Sequence, residues 1–196
     1  MLFRKQMKRA GIGVALVALA LSMAGCGGAE NQAPPAARSE AGQTTQRAVE
    51  KAINLAPLAQ VAASSEFKEY GRFGADQVKD EGAGEWASAG EKAGAWVKLS
   101  WDFPVIAQRV ELEDRPNPQE RVTAGHLAFS DSASTVAVQT LPDEGIPLSI
   151  AFTPRRIRWI RFVVESVSTG TINIGLRRFR VFGAKAEPLG ASAKTP

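Results

Sequence analysis

The chain has 196 residues, 24 Lys and Arg against 20 Asp and Glu, and a formal charge of +4. The whole excess (Arg4, Lys5, Lys8 and Arg9) precedes Cys26, so the remainder is formally neutral and charge makes no case for nucleic acid. A single cysteine excludes a disulfide framework, and with only His126 beside it a transition-metal site would rest on carboxylates alone.

Taken in order, the first element reads as a leader. The four basic residues form a positive n-region, and an apolar run from Ala10 to Ala24 follows. That run is shorter than the roughly 20 residues a membrane-spanning helix needs, and it has the length and flanks of a secretory h-region. Met23-Ala24-Gly25-Cys26 closes it and resembles the lipobox of bacterial lipoproteins, where the thiol is acylated and the cysteine becomes the new N-terminus. Leu is usual where Met23 stands. The resemblance implies export, lipidation of Cys26, a membrane partner through that anchor, and, from the non-Asp Gly27, sorting to the outer membrane. The competing reading is ordinary secretion with a free thiol. Each acyl CH₂ that enters the bilayer contributes about 0.8 kcal/mol, so several chains on one residue anchor stably.

Residues 26–50 are rich in Ala, Gly, Pro, Gln and Thr and read as a flexible tether, because such a stretch buries too little apolar surface to offset its ordering. Residues 186–196 read as a similar tail. Between them, residues 51–185 are the size of one domain.

That domain reads as strands. Val97, Leu99 and Trp101 alternate with Lys98 and Ser100, and Val110 and Leu112 with Arg109, Glu111 and Glu113. Leu127 and Phe129 share a face, as do Val136 and Val138, and Leu148, Ile150 and Phe152. Ile160, Phe162 and Val164 alternate with Trp159, Arg161 and Val163, and Phe179 and Val181 with Arg178, Arg180 and Phe182. Period-two patterning in short runs, separated by Asp114-Arg-Pro-Asn-Pro118, Ser130-Asp-Ser-Ala, Leu141-Pro-Asp-Glu-Gly145 and Ser168-Thr-Gly170, predicts an all-β sandwich.

Five segments resemble the discoidin-type, galactose-binding-like domains. They are Asn54 to Ser65, Gly74 to Asp80 with Glu85-Trp-Ala-Ser88, Gly94 to Leu99, Arg158 to Val163, and Gly175 to Gly183. The resemblance implies a single-domain jelly-roll sandwich, related to coagulation-factor C-type domains and carbohydrate-binding modules. It implies a monomeric, non-enzymatic module that holds a glycan through edge loops. Docking of an envelope protein is the alternative. Members often carry a structural calcium, with Asp-Gly, Thr and Glu at set places. Here Asp80 holds the Asp place, but Glu81, Gly84 and Arg178 replace the others. Calcium wants six to eight oxygens, several charged, so the position reads as degenerate and calcium is not favoured. The expectation is that Arg178 pairs with Asp80 or Glu81 instead.

The candidate ligand residues are Asp114, Arg115 and Asn117, in a loop stiffened by Pro116 and Pro118, and the loop residues Tyr70 and Arg72. Preorganised donors and acceptors suit sugar hydroxyls. The competing reading is that Asp114 caps its own turn and pairs with Arg115. Trp86, Trp96, Trp101 and Trp159 read as core, and His126 as a surface residue. Arg155, Arg156, Arg158, Arg161, Arg177, Arg178 and Arg180 read as an outer face paired with Glu111, Glu113 and Glu120, or as a contact for anionic lipid or acidic glycan.

Overall fold

Regular alternation of buried and half-exposed positions is the first consequence of these strand patterns. The computed structural model describes residues 52–79, 82–142 and 145–187. The segments read as leader and tether, Cys26 and most of the segment read as a tail lie outside the described residues, as do Asp80 and Glu81 and with them the expected pairing to Arg178.

Among the described residues nine strands form, in chain order: β1 (Ile53–Asn54), β2 (Gln60–Ala63), β3 (Trp86–Ala87), β4 (Trp96–Glu113), β5 (Val122–Phe129), β6 (Val136–Val138), β7 (Leu148–Val167), β8 (Gly175–Leu176) and β9 (Arg178–Lys185). Three short 3₁₀ turns, Ala56–Leu58, Glu69–Gly71 and Ala75–Lys79, supply the helical content. Pro57 starts the first of them and splits the opening segment into β1 and β2.

The all-β sandwich is borne out, but its strands are longer than the sequence pattern indicates. Two runs that read as separate strands on either side of Pro104 are one 18-residue strand, and two on either side of Pro154 form a 20-residue strand. Each long strand serves both layers. β4 pairs β2 through residues 97–100 and β9 through residues 105–113. β7 pairs β5 through residues 160–167 and runs beside β4 along its whole length. The fold turns the corner where the β4–β7 register shifts, between Ser100 and Val105 and again between Ala107 and Arg109. Bulges bend and twist strands, and proline is tolerated there because a ladder hydrogen bond is already missing.

One core fills the space between the layers. Leu99, Val105, Val110, Leu112, Leu127, Ile160, Phe162, Phe179 and Val181 have no solvent exposure. Trp86 and Trp101 belong to it, with their indole N–H groups satisfied by the carbonyls of Ser65 and Leu55, both at 2.9 Å. Trp96 and Trp159 do not: they are half-buried on the outer side of the sheet, where Arg161 lies 5.7 Å and 5.9 Å from their rings. Their alternation phase, opposite to Val97 and Ile160, turns them outward.

Candidate functional site

Four loops converge at one end of the sandwich. The Phe67 N–H donates to the Ala87 carbonyl at 2.8 Å and the Ser88 N–H to the Ile174 carbonyl at 2.7 Å. The Arg121 N–H donates to Ser168 Oγ at 3.0 Å, and β3 pairs β8 beneath them. Asp114, Arg115, Asn117 and Arg72 are brought together here.

Asp114 is 3 % exposed. Its Oδ1 accepts the Arg115 N–H at 2.9 Å and its Oδ2 the Val122 N–H at 3.2 Å, which ties both ends of the loop to one carboxyl. Burial pushes that carboxyl up to about 6, against the lowering effect of the two N–H donors and of the Arg121 and Arg115 charges. Asp114 is therefore a structural residue rather than a ligand contact, because both oxygens are used and water is excluded.

Arg115 is also largely enclosed, which corrects the picture of a guanidinium presented on a loop. Its Nε donates to Glu85 Oε1 at 2.9 Å. Its Nη1 donates to Glu120 Oε2 at 2.8 Å and to the Asn173 carbonyl at 2.9 Å. Glu120 Oε2 also takes Asn117 Nδ2 at 2.8 Å, and its Oε1 takes the N–H groups of Ile172 and Asn173 at 3.2 Å and 3.0 Å. Asn117 Oδ1 accepts the Gln119 N–H at 3.2 Å. The arginine thus joins three loops. A carboxylate on each side offsets the cost of removing it from water, as a buried charge requires.

Among the described residues, the only enclosed and unbonded side-chain N or O is Arg161 Nε. Arg115 Nη2, Glu85 Oε2 and Asn173 Nδ2 make no hydrogen bond there, so each of them meets solvent. They form a donor, an acceptor and a donor held in place by the network beneath. Phe73 borders them, with the Arg115 guanidinium 5.7 Å and the exposed Arg72 guanidinium 5.5 Å from its ring. The Tyr70 backbone lies in the adjoining 3₁₀ turn; its side chain is outside what the structure describes. Glu85 and Asn173 escape sequence reasoning because they lie 30 and 58 residues from Arg115, with no local pattern to join them.

At the degenerate calcium position, Arg178 is 2 % exposed, with Nη1 donating to the Gly84 carbonyl at 2.8 Å and Nη2 to that of Gly82. A guanidinium therefore gathers the loop carbonyls. Among the described residues no group of His, Cys, Asp and Glu could hold a metal ion. His126 sits on the sheet surface, with Nδ1 2.6 Å from Glu165 Oε1. Of the acidic partners expected for the arginines, Glu111 meets Arg109 and Arg180, and Glu113 meets Arg177 at 3.3 Å. Glu120 instead turns inward to Arg115.

A family model, Domain of unknown function (DUF7402), matches residues 54–182. The chain belongs to that family. The DUF7402 domain also has the fold of solved modules of carbohydrate-binding module family 32, the discoidin-like, galactose-binding-like class. One is the chitosan-binding module 1 of a chitosanase/glucanase from Paenibacillus sp. IK-5, at 23 % identity and a TM-score of 0.54, covering 67 % of this chain and 99 % of that one. Another is the family 32 module of Clostridium perfringens NanJ, solved in complex with galactose, at 11 % identity and a TM-score of 0.56, with the same coverages. A third, also from C. perfringens, was solved with GalNAc-β-1,3-galactose, at 16 % identity and a TM-score of 0.55, covering 66 % of this chain and 99 % of that one. No curated protein matches the chain.

Proposed function

We propose that the DUF7402 domain is a non-catalytic glycan-binding module, exported and held at the outer membrane by a lipid anchor on Cys26. The observation that carries the glycan reading is the solvent-facing set of Arg115 Nη2, Glu85 Oε2 and Asn173 Nδ2. A sugar hydroxyl both donates and accepts, so a vicinal pair can accept from the guanidinium and donate to the carboxylate at once. The three groups are fixed before binding, which lowers the ordering cost. Phe73 offers an apolar edge to the same ligand. Solved modules of the same fold carry galactose and GalNAc-β-1,3-galactose, which supports a sugar as the ligand class.

Two features argue against catalysis. Glycoside hydrolysis needs a proton-donating carboxyl facing substrate. Among the described residues, the carboxyl with the raised pKa, Asp114, is enclosed, Glu120 has both oxygens bonded within the network, and Glu85 is ion-paired to Arg115 through one of its two oxygens.

The test is a glycan array of the soluble domain, with and without chelator, repeated for Glu85→Gln. That variant retains an oxygen for Arg115 Nε and replaces the outward acceptor by a donor. A consistent set of hits, lost or redirected in Glu85→Gln, supports the reading. Identical profiles in both proteins would remove this site. A blank array from folded protein would favour docking of an envelope protein. The anchor is tested separately, by acyl labelling of the full chain against Cys26→Ser.

A further inference from the structure

We propose a second binding site, for a carboxylate-bearing polysaccharide, in the cleft lined by Arg156, Arg158 and Trp159. The cleft lies where β7 bends, bordered by Pro104 of β4 and by Ser130, at the opposite end of β5 from the converging loops; its volume is about 550 Å³. At about 3.3 Å per strand residue, the span from Val122 to Ser130 separates it from the loop site by roughly 25 Å.

Its charge is uncompensated. Arg155 has Asp131 at 3.8 Å, Arg177 has Glu113 and Arg180 has Glu111. Arg156 and Arg158 have no ion-pair partner among the described residues. Each spends one guanidinium nitrogen on a backbone carbonyl: Arg156 Nη1 on Glu187 at 3.1 Å, and Arg158 Nη1 on Asp102 at 2.8 Å. These bonds, with the Arg158 N–H donating to Ser130 Oγ at 2.7 Å, orient the pair and leave further N–H groups of each fork unused. Of the nearby acids, the Asp102 carboxylate takes Gln60 Nε2 at 3.2 Å, Asp131 faces Arg155, and Glu187 meets Arg156 through its backbone carbonyl and not through an ion pair.

A third cation adds to the field. Arg161, 5.9 Å from the Trp159 ring, has an enclosed Nε without a hydrogen bond and no carboxylate beside it. The half-exposed Trp159 indole therefore shares the cleft lining with Arg156 and Arg158 and has the Arg161 guanidinium near its ring. Guanidinium forks match carboxylates in two-point geometry, and an indole face takes the apolar side of a sugar ring. The ligand class that uses both is a chain of uronic acids. Fixed positive charge of this kind also speeds the encounter with a polyanion.

The experiment is affinity electrophoresis of the full chain in detergent, in gels containing polygalacturonate or uncharged hydroxyethylcellulose. Retardation by polygalacturonate alone is expected, falling at least tenfold in Arg156→Gln/Arg158→Gln and severalfold in Trp159→Ala, which keeps the charge. Glu85→Gln should be retarded like wild type, which separates this site from the loop site. Lys68→Gln/Lys92→Gln removes the same charge elsewhere and should also leave retardation unchanged. The proposal is overturned if polygalacturonate does not retard the protein. It is equally overturned if the two charge-removal variants lose retardation alike, or if the cleft variants, shown folded by an unchanged thermal transition, are retarded as wild type.

Discussion

Arg115 Nε donates to Glu85 Oε1 at 2.9 Å, and this bond joins the loop after β4 to the residue that precedes β3. The same guanidinium holds Glu120 on its other side and the Asn173 carbonyl, so one side chain fixes three chain segments and the geometry of the solvent-facing donors.

Removing that guanidinium leaves two carboxylates facing each other with little water. Arg115→Ala should therefore lower stability by about 4 kcal/mol, the range for breaking a buried pair from one side. Arg115→Lys should recover only part of the loss, since an ammonium cannot donate along the Nε and Nη1 directions together. Urea midpoints of the two variants measure this. A loss below about 1 kcal/mol for alanine, the scale of an exposed pair, would show that the network does not hold the loops.

Asp114 gives a pH signature. Its folded pKa, about 6, stands above the ordinary 3.8. The protonated form is therefore favoured by folding, and this contribution is fully present below pH 3.8 and lost as pH rises through 6. The difference corresponds to about 3 kcal/mol, at 1.36 kcal/mol per unit. Asp114→Asn should lack this component, so its stability should fall less than wild type between pH 4 and 7. It should also carry a constant deficit, because an amide has one acceptor oxygen for the two N–H groups of Arg115 and Val122. Parallel pH curves for the two proteins would contradict the raised pKa.

Gly175 allows β8 to approach β3. A Cβ there would run into the Trp86 carbonyl and lie 2.9 Å from Arg115 Cδ. The first obstacle is backbone, so Gly175→Ala should cost about 3 kcal/mol, the upper range of overpacking. It should also displace Arg115, visible as altered binding by the loop site at temperatures where the variant remains folded.

Arg178 gives a prediction about calcium. Its guanidinium already draws in the carbonyls of Gly82 and Gly84. The melting temperature of wild type should be the same in chelator and in millimolar calcium. Arg178→Ala should melt lower, with the loss concentrated in exchange protection of the segment from Gly82 to Trp86. Micromolar calcium binding in a calorimetric titration would contradict this reading.

The all-β class and the inner face of each strand were legible in the chain itself, whereas the strand ends were not. Alternation is a local property: with a side-chain period of two, Val97, Leu99, Ile160 and Phe162 declare an inner face wherever the strands end up. The same pattern also contained the outward phase of Trp96 and Trp159, although apolar character alone suggested core. The corner at Pro104 was not legible, because a bulge joining two runs looks like a gap between two strands until the pairing partners are known. The site divides in the same way. Asp114, Arg115, Asn117 and Arg72 were legible as polar residues in and near a stiff loop, but whether each faces water or the interior was decided by Glu85, Glu120 and Asn173. Glu120 comes from the same loop, but Glu85 and Asn173 arrive from segments 30 and 58 residues away, brought in beside the β3–β8 pair. Electrostatic satisfaction of a buried charge therefore depends on tertiary structure, whereas periodicity requires only the chain itself.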